Sequence, residues 1–470
     1  MITFTIALVV LVVGYLIYGR YLSRLFGYDE TRKTPALTQA DGVDYVAMPT
    51  WKTYMIQFLN IAGLGPIFGA IMGAKFGTSS YLWIVFGTIF AGAVHDYLAG
   101  MISVRNRGEN LPSIIGRYLG PGTQKGVTIF TIVLMILVGA VFISQPADLL
   151  AKLTPKALDV YFWIVVIFLY YLAATMIPID KIIGKFYPVF AFALLFMAFG
   201  ILIGLYVNRP ELPEMWNGFG TKYETNAIFP MMFISIACGA ISGFHATQSP
   251  LMARCIQNEK NGRFVFYGAM VSEGIVALIW AAAATAYFQE FGTSDGTGQI
   301  VMNISKSWLG VAGGLLAVLG VIAAPITSGD TALRSARLII ADMLHIEQKK
   351  IRNRLYICIP LFALTLGVLI FSVVNKDGFS IIWRYFAWCN QTLAVFTLWA
   401  ITVFLCQARK NYSVTLIPAM FMTMVTATYI CVAPEGLHFS PLIAYLASGL
   451  FTLSMLALFI RKKKKIHKGK

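Results

Sequence analysis

Charge is scarce in this chain: Asp, Glu, Lys and Arg make up 12% of its 470 residues, about half the share of an average soluble domain. That shortage excludes an ordinary soluble globular protein. Acidic residues are the rarer sign, 21 against 37 basic ones, and histidine occurs only five times. The six cysteines (Cys238, Cys255, Cys358, Cys389, Cys406 and Cys431) are scattered through apolar surroundings with neither a CxxC pair nor a zinc spacing, so their expected role is packing. No GxxxxGK[ST] phosphate loop and no HExxH zinc motif is found, which leaves ATP-driven pumping and zinc-dependent intramembrane proteolysis without support. The chain does not read as an enzyme.

What the sequence has instead is apolar length. Hydrophobic residues make up 58% of it, and the mean hydropathy is +0.72. Thirteen mainly apolar runs are long enough for a membrane span, centred near residues 11, 64, 91, 135, 168, 197, 238, 277, 318, 365, 394, 422 and 450. The expected fold is therefore an all-α polytopic membrane protein. The first run starts at Ile2 without a basic leader and is followed by Arg20 and Arg24, not by a small-residue cleavage site, so it reads as a retained helix.

A net charge of +16 could serve nucleic acid, and its distribution decides against that. Alternate connections hold 29 and 8 of the 37 basic residues, which is the positive-inside asymmetry. The rich side comprises 20–52, 105–125, 178–186, 251–264, 334–354, 407–413 and the tail 461–470. Thirteen spans then put the N-terminus outside and the C-terminus in the cytoplasm. Membrane lipids are expected partners, and the tail is either an anionic-lipid contact or a stop-transfer anchor.

Two runs carry helix breakers at their centres. The second, IQFLNIAGLGPIFGAIMGAKFG, holds Gly63, Gly65 and Pro66, and the seventh holds Gly239, Gly243 and Pro250. Freed backbone survives in hydrocarbon only beside protein or a lined cavity. The two runs lie five spans apart and cross in opposite directions, which is the pattern of a secondary transporter built from inverted halves with a midplane site. The division expected is an extra helix (1–22), two inverted five-helix repeats (53–207 and 228–406), two accessory helices (412–460) and the basic cytoplasmic tail (461–470).

Polar groups inside the spans are functional candidates. In SGFHATQSP, Ser242 precedes His245, Gln248 and Ser249, which share one face if helical and can address a substrate. The alternative is a buried histidine bonded to a neighbouring carbonyl. In the third span Gly87, Ala91, His95 and Ala99 recur every four residues, placing His95 and Asp96 against protein, as a proton relay, a cytoplasmic latch, or a structural ion pair with Arg105 or another basic residue. Glu273 lies between Ala269 and Ala277 and suits a proton carrier. The ninth span ends APITSGDTALRSAR, where the Ala324 carbonyl and the Thr327 and Ser328 hydroxyls could ligate Na⁺ or simply bond their own helix. Asp330 follows as a coupling or gating residue, with Arg334 and Arg337 as its expected partners.

Taken together, DGVDYV (41–46), IAGLGPIFGA (61–70), AGAVHDY (91–97), SGFHATQSP (242–250), APITSGDTALRSAR (324–337) and RYFAWCNQTLA (384–394) resemble the carbon starvation proteins, the CstA-type peptide transporter family. The resemblance implies a bacterial inner-membrane nutrient carrier for peptides or pyruvate. It also implies a 5+5 inverted-repeat core, in which span 9 supplies Thr327 and Ser328 to a cation held against the first broken helix. Asn390 and Gln391 lie in the last of these motifs and join the substrate-binding candidates. The reading is import of a small organic nutrient coupled to Na⁺ or H⁺, with emphasis on the hydroxyl pair. The competing reading is a starvation sensor that binds the same ligand without moving it.

Overall fold

The structure, a computed structural model, describes residues 1–176, 183–218, 223–375 and 378–468. Among these, ten helices are long and apolar enough to cross a membrane, eleven if the bent pair Thr50–Ile61 and Gly65–Ala74, inclined by 54°, is one span. The thirteen expected runs exceed that count. The remaining two form the 17-residue helix Val160–Met176 and a pair of short helices, Ile228–Ser235 and Gly243–Ala253.

In chain order the membrane helices are α1 (Ile2–Phe26), α2 (Thr50–Ile61), α3 (Gly65–Ala74), α4 (Ser79–Arg105), α5 (Pro121–Leu153), α6 (Val160–Met176), α7 (Ile183–Asn208), α8 (Ile228–Ser235) and α9 (Gly243–Ala253). They continue as α10 (Glu259–Phe291), α11 (Gly313–Leu344, preceded from Thr297 by a helical stretch that breaks at Gly310, φ +67), α12 (Ile351–Val374), α13 (Gly378–Gln407), α14 (Ser413–Val432) and α15 (Pro441–Lys468). α1 runs four residues beyond its expected end at 22, closing at Gly27 in the left-handed region. The tail is likewise part of α15 as far as Lys468, and Lys463 Nζ donates to the Tyr412 hydroxyl at 2.8 Å.

The centre of the bundle is α4, α10 and α13, whose apolar windows are 83% buried; α1 and α15 lie at the edge, at 28% and 22%. α4 shows why. Gly87, Ala91, His95 and Ala99 are all buried, whereas Phe86 and Phe90 on the other side are about half exposed. A small-residue stripe lets neighbouring backbones approach, and the bulky apolar face is left for lipid.

The alternate connections gather at opposite ends. At the basic end Arg105 pairs with Glu259, Lys410 Nζ reaches the carbonyls of Leu25 and Phe26, and Asp44 meets Arg334 and Arg337. At the other end Glu214 binds the Met1 ammonium, Thr78 donates to the Gly218 carbonyl, and Arg384 pairs with Glu435. These contacts respect the two sides that the basic residues distinguish.

Candidate functional site

Both breaks form, and each is satisfied by side chains from other helices. Between α2 and α3 the chain is non-helical at 62–64, so Gly63 lies in the break and Gly65 and Pro66 open the next half. Gly65 is required by proximity: a Cβ there would stand 2.1 Å from the Cβ of Cys238, in the other break. The two interruptions therefore touch. Ser328 Oγ donates to the Leu59 carbonyl at 3.0 Å, one turn before the first break.

Between α8 and α9, residues 236–242 leave the helical path. Gly239 lies in this break and Gly243 starts α9. Pro250, expected among the breakers, is instead accommodated inside α9, where Arg254 N still bonds its carbonyl. Thr88 Oγ1, on a π-helical stretch of α4 (Trp83–Gly92), donates to the Gly239 carbonyl at 3.0 Å. Gln391 Nε2 donates to the Ala237 and Ile241 carbonyls at 2.8 and 3.0 Å. Asn390 Oδ1 accepts from Phe244 N and Ser242 Oγ at 2.7 and 2.9 Å. Asn390, Gln391 and Ser242, candidates for substrate binding, thus hold the unwound backbone. In hydrocarbon each unbonded peptide group is costly, so these braces are what makes the break stable.

α9 is helical, so His245, Gln248 and Ser249 share a face as expected, but they are used differently. Ser249 Oγ donates to the His245 carbonyl, and Gln248 Nε2 to Thr247 Oγ1, leaving Gln248 Oε1 without a hydrogen bond. His245 joins the residues of α4 and α10. Its Nδ1 lies 2.9 Å from Asp96 Oδ2, and its Nε2 lies 3.4 Å from Glu273 Oε2. His95 Nδ1 lies 2.7 Å from Asp96 Oδ1. All four side chains are fully buried.

The geometry constrains the protons. An ionised Asp96 accepts from both imidazoles, so each His donates through Nδ1, and the Nε2 of a neutral His245 is an acceptor facing Glu273. Neither oxygen of Glu273 has a hydrogen bond among the described residues, and His245 Nε2 is the polar atom facing it. Arg105, the other partner considered for Asp96, is held by Glu259 instead.

Asp330 does not pair with Arg334 or Arg337. Its Oδ2 accepts from Tyr187 at 2.6 Å, and the two arginines go to Asp44, at 3.5 and 3.3 Å. The expectation failed because Asp44 sits on the arm between α1 and α2, about 290 positions away in sequence. Thr327 Oγ1 donates to the Ala323 and Ala324 carbonyls of its own helix, at 3.0 and 2.8 Å.

The sequence reading missed Gln57 and Asn60. Both are fully buried on α2 just before the break, and none of their four amide atoms has a hydrogen-bond partner among the described residues. Two amides at i, i+3 in an apolar run were the available signal. At the poorly basic end lies a cavity of about 570 Å³, lined by Phe68, Gln145, Asp148, Thr297, Trp383 and Arg384. Beneath it an aromatic ladder descends: Phe68 to Trp383, Trp383 to Phe386, Phe386 to Phe142 and Phe142 to Phe244, with centroid spacings of 5.5–6.4 Å. Phe244 adjoins His245.

Two interrupted helices in contact, braced by their neighbours and enclosing buried titratable groups, define a polytopic helical carrier architecture of the five-plus-five inverted-repeat type. The fold is that of the Eremococcus coleocola manganese transporter (TM-score 0.58, 13% identity, covering 92% of this chain and 100% of that one) and of MhsT in complex with L-phenylalanine (TM-score 0.57, 14% identity, covering 86% and 98%). The chain belongs to the carbon starvation protein CstA family, whose model matches residues 1–162, 152–307 and 293–429. It is 40% identical to an uncharacterised membrane protein of Haemophilus influenzae over 62% of this chain and 92% of that protein. It is 26% identical to the peptide transporter CstA of Campylobacter jejuni over 89% and 78%. It is 28% identical to the pyruvate/proton symporter BtsT of Escherichia coli over 59% of this chain and 48% of that protein.

Proposed function

We propose that this protein is a secondary carrier that imports a small carboxylate-bearing nutrient, a peptide or a pyruvate-like acid, together with a proton. The observation that carries the reading is His245, suspended between Asp96 and Glu273 at the start of the half-helix α9. Binding and releasing one proton there changes the charge beside both breaks, which is what coupling requires. The N-terminal end of α9 faces the break, and its dipole favours an anionic group. The halves 53–207 and 228–406 would rock about this centre, in a bacterial inner membrane with the C-terminus in the cytoplasm. The relatives named as transporters support a carrier over a sensor.

A sodium-coupled version has one observation in its favour: Ser328 already bridges α11 to the Leu59 carbonyl, and a Cβ on Gly63 would lie 3.1 Å from that hydroxyl. Ser328, Thr327 and the carbonyls of Leu59 and Ala324 form an oxygen-only donor set of the kind a hard cation takes. The test is uptake of labelled pyruvate and dipeptides into proteoliposomes under an imposed pH gradient, and separately under a Na⁺ gradient at fixed pH. Accumulation driven by the pH gradient alone is expected. Accumulation that follows Na⁺ and ignores pH overturns the proton reading. Ligand binding without accumulation or exchange overturns the carrier reading in favour of a sensor.

A further inference from the structure

Arg254 is a buried arginine whose charge is met by no carboxylate in contact. It caps the C-terminal end of α9, where the helix dipole favours a cation, and it is 5% exposed. Among the described residues it makes no ion pair. Its side chain has one hydrogen bond there, from Nε to the Gly108 carbonyl at 2.9 Å. Gly108, at φ +74, permits this approach: a Cβ on it would stand 2.7 Å from Arg254 Cγ. On the other side the guanidinium lies over the Tyr45 ring, 4.9 Å from its centroid. Tyr45 is itself preset, because Asp41 Oδ1 accepts the N–H groups of Val43, Asp44 and Tyr45 in an Asx-type turn, and the Tyr45 hydroxyl donates to the Arg107 carbonyl. The head group is thus held in place, and the rest of its fork is left for another acceptor.

The carboxylates nearby are engaged elsewhere. Asp44 binds Arg334 and Arg337, Asp342 accepts from Asn110, and Glu109 pairs with Arg117. Arg107, His345 and Glu347 are exposed, so water screens them. A buried guanidinium is costly without a counter-charge, and an aromatic face compensates it only in part. A carboxylate matches its fork in two charge-assisted bonds.

Arg254 also stands between two spaces. One is an open cavity of about 580 Å³ at the basic end, whose lining includes Tyr45, Arg107, Arg254, Asp342 and His345. The other is a crevice of about 10 Å³, lined by Asn110, Thr247, Arg254, Ser335 and Leu338 among others, the room of roughly one water. Arg254 belongs to both linings, and the Asn110 amide of the crevice donates to Asp342 of the cavity. The two spaces therefore share a wall. Thr247 lies on α9 close after His245, and its carbonyl accepts from Ser335 Oγ of α11 at 3.1 Å, which ties the two sides of the crevice together.

We infer that Arg254 is the anion-binding residue of an inner exit: its fork takes the carboxylate of a small organic acid at the wall between cavity and crevice, and in the transport cycle it receives the substrate's carboxylate as α9 and α11 part. The role in transport rests on the carrier reading and its orientation, but the binding is tested without transport. The probe is propionate, with propionamide as its neutral counterpart. Thermal unfolding of the purified protein in detergent is followed with each, at constant ionic strength in chloride. Propionate is expected to raise the wild-type midpoint saturably, propionamide to leave it unchanged, and Arg254→Gln to abolish the effect. A propionate effect that survives R254Q, an equal effect of propionamide, or no effect on the wild type overturns the site.

Should R254Q fail to fold, Arg254→Lys keeps the charge and removes the fork. Its apparent affinity for propionate should fall roughly tenfold; an unchanged affinity overturns the site. In proteoliposomes the same variant should raise KM for substrate presented at the cytoplasmic face by about tenfold and leave KM at the outer face unchanged. A parallel change at both faces, or at neither, overturns the exit. Wild-type protein that moves no substrate refutes the carrier reading alone, and the propionate titration still decides the site.

Discussion

His245 holds its Nδ1 2.9 Å from Oδ2 of Asp96, and neither side chain reaches solvent. Asp96 is thus an acceptor for two imidazoles, whereas Glu273 on the far side of His245 has no hydrogen bond of its own. The two carboxyls should respond oppositely to amide replacement. Asp96→Asn puts a donor against N–H groups and is expected to destabilise by about 3–5 kcal/mol, the cost of breaking a buried pair. Glu273→Gln should fold normally, lose accumulation driven by a pH gradient, and retain substrate exchange. Thermal unfolding in detergent and counterflow check the pair; pH-driven accumulation by Glu273→Gln would remove Glu273 from the coupling step.

Gln391 is a structural brace, so its loss should show in stability before affinity. Gln391→Leu leaves two carbonyls of the second break without their donor, at roughly 1–3 kcal/mol per buried group. Gln248→Ala removes an amide with a free carbonyl oxygen and should impair uptake with little change in the unfolding midpoint. The reverse ranking would place the substrate at Gln391.

Replacing Ser328 by Ala orphans the Leu59 carbonyl, which predicts a loss of about 1–3 kcal/mol. Thr327→Ala removes only a bond within its own helix and should cost less. If uptake by the wild type is independent of Na⁺ at fixed pH, both variants should keep that independence. A Na⁺ requirement abolished by Ser328→Ala would instead assign the hydroxyl to a cation.

Asp44 makes a pH prediction outside the spans. Burial pushes its carboxyl up, and the Arg337 and Arg334 guanidiniums outweigh burial, holding it below the ordinary 3.8. A depressed carboxylate contributes stability in full above its unfolded value and loses it as pH falls through the folded one. Wild type should therefore lose stability on acidification below about pH 4, with part of that loss absent in Asp44→Asn. Unfolding midpoints measured from pH 6 downward test this; identical slopes would show that Asp44 contributes nothing.

All six native cysteines are buried, so introduced thiols can report sidedness against a low background. Leu437→Cys, exposed at the poorly basic end, should be labelled from outside by an impermeant reagent, and Lys350→Cys only after permeabilisation. The opposite pattern would reverse the orientation.

The breaks were legible because their cause is local: Gly63, Gly65 and Gly239 announce a helix that cannot continue. His245, Asp96 and Glu273 were each legible as costly intrusions into apolar runs. Their assembly into one cluster was not, since His245 and Asp96 are 149 positions apart and nothing in either segment encodes the other. For the same reason Asp330 looked like the partner of Arg334, being nearest in sequence, when a distant arm supplied the carboxylate. Gly65 was read as a propensity defect and proved to be a clearance requirement against Cys238, so Gly65→Ala acts by collision and not by repairing the helix. Asn390 and Gln391 entered as substrate-binding candidates only through the last of the family motifs, and the second break shows which backbone groups they bond.

The vestibule and the closed crevice together shape the membrane's electrical field. In the proposed orientation, water filling the 570 Å³ cavity would bring the outer potential down to Phe68 and Trp383, while the crevice beside Arg254 has room for about one water. The voltage then falls across the thin layer between them, the layer that contains His245 and Glu273. A charge crossing that layer does work approaching the full value of about 2.3 kcal/mol per 100 mV. With the proton coupling and orientation proposed above, protonation from the vestibule would itself be a voltage-sensing event, and a hyperpolarised cell would load the carrier more readily at the same external pH.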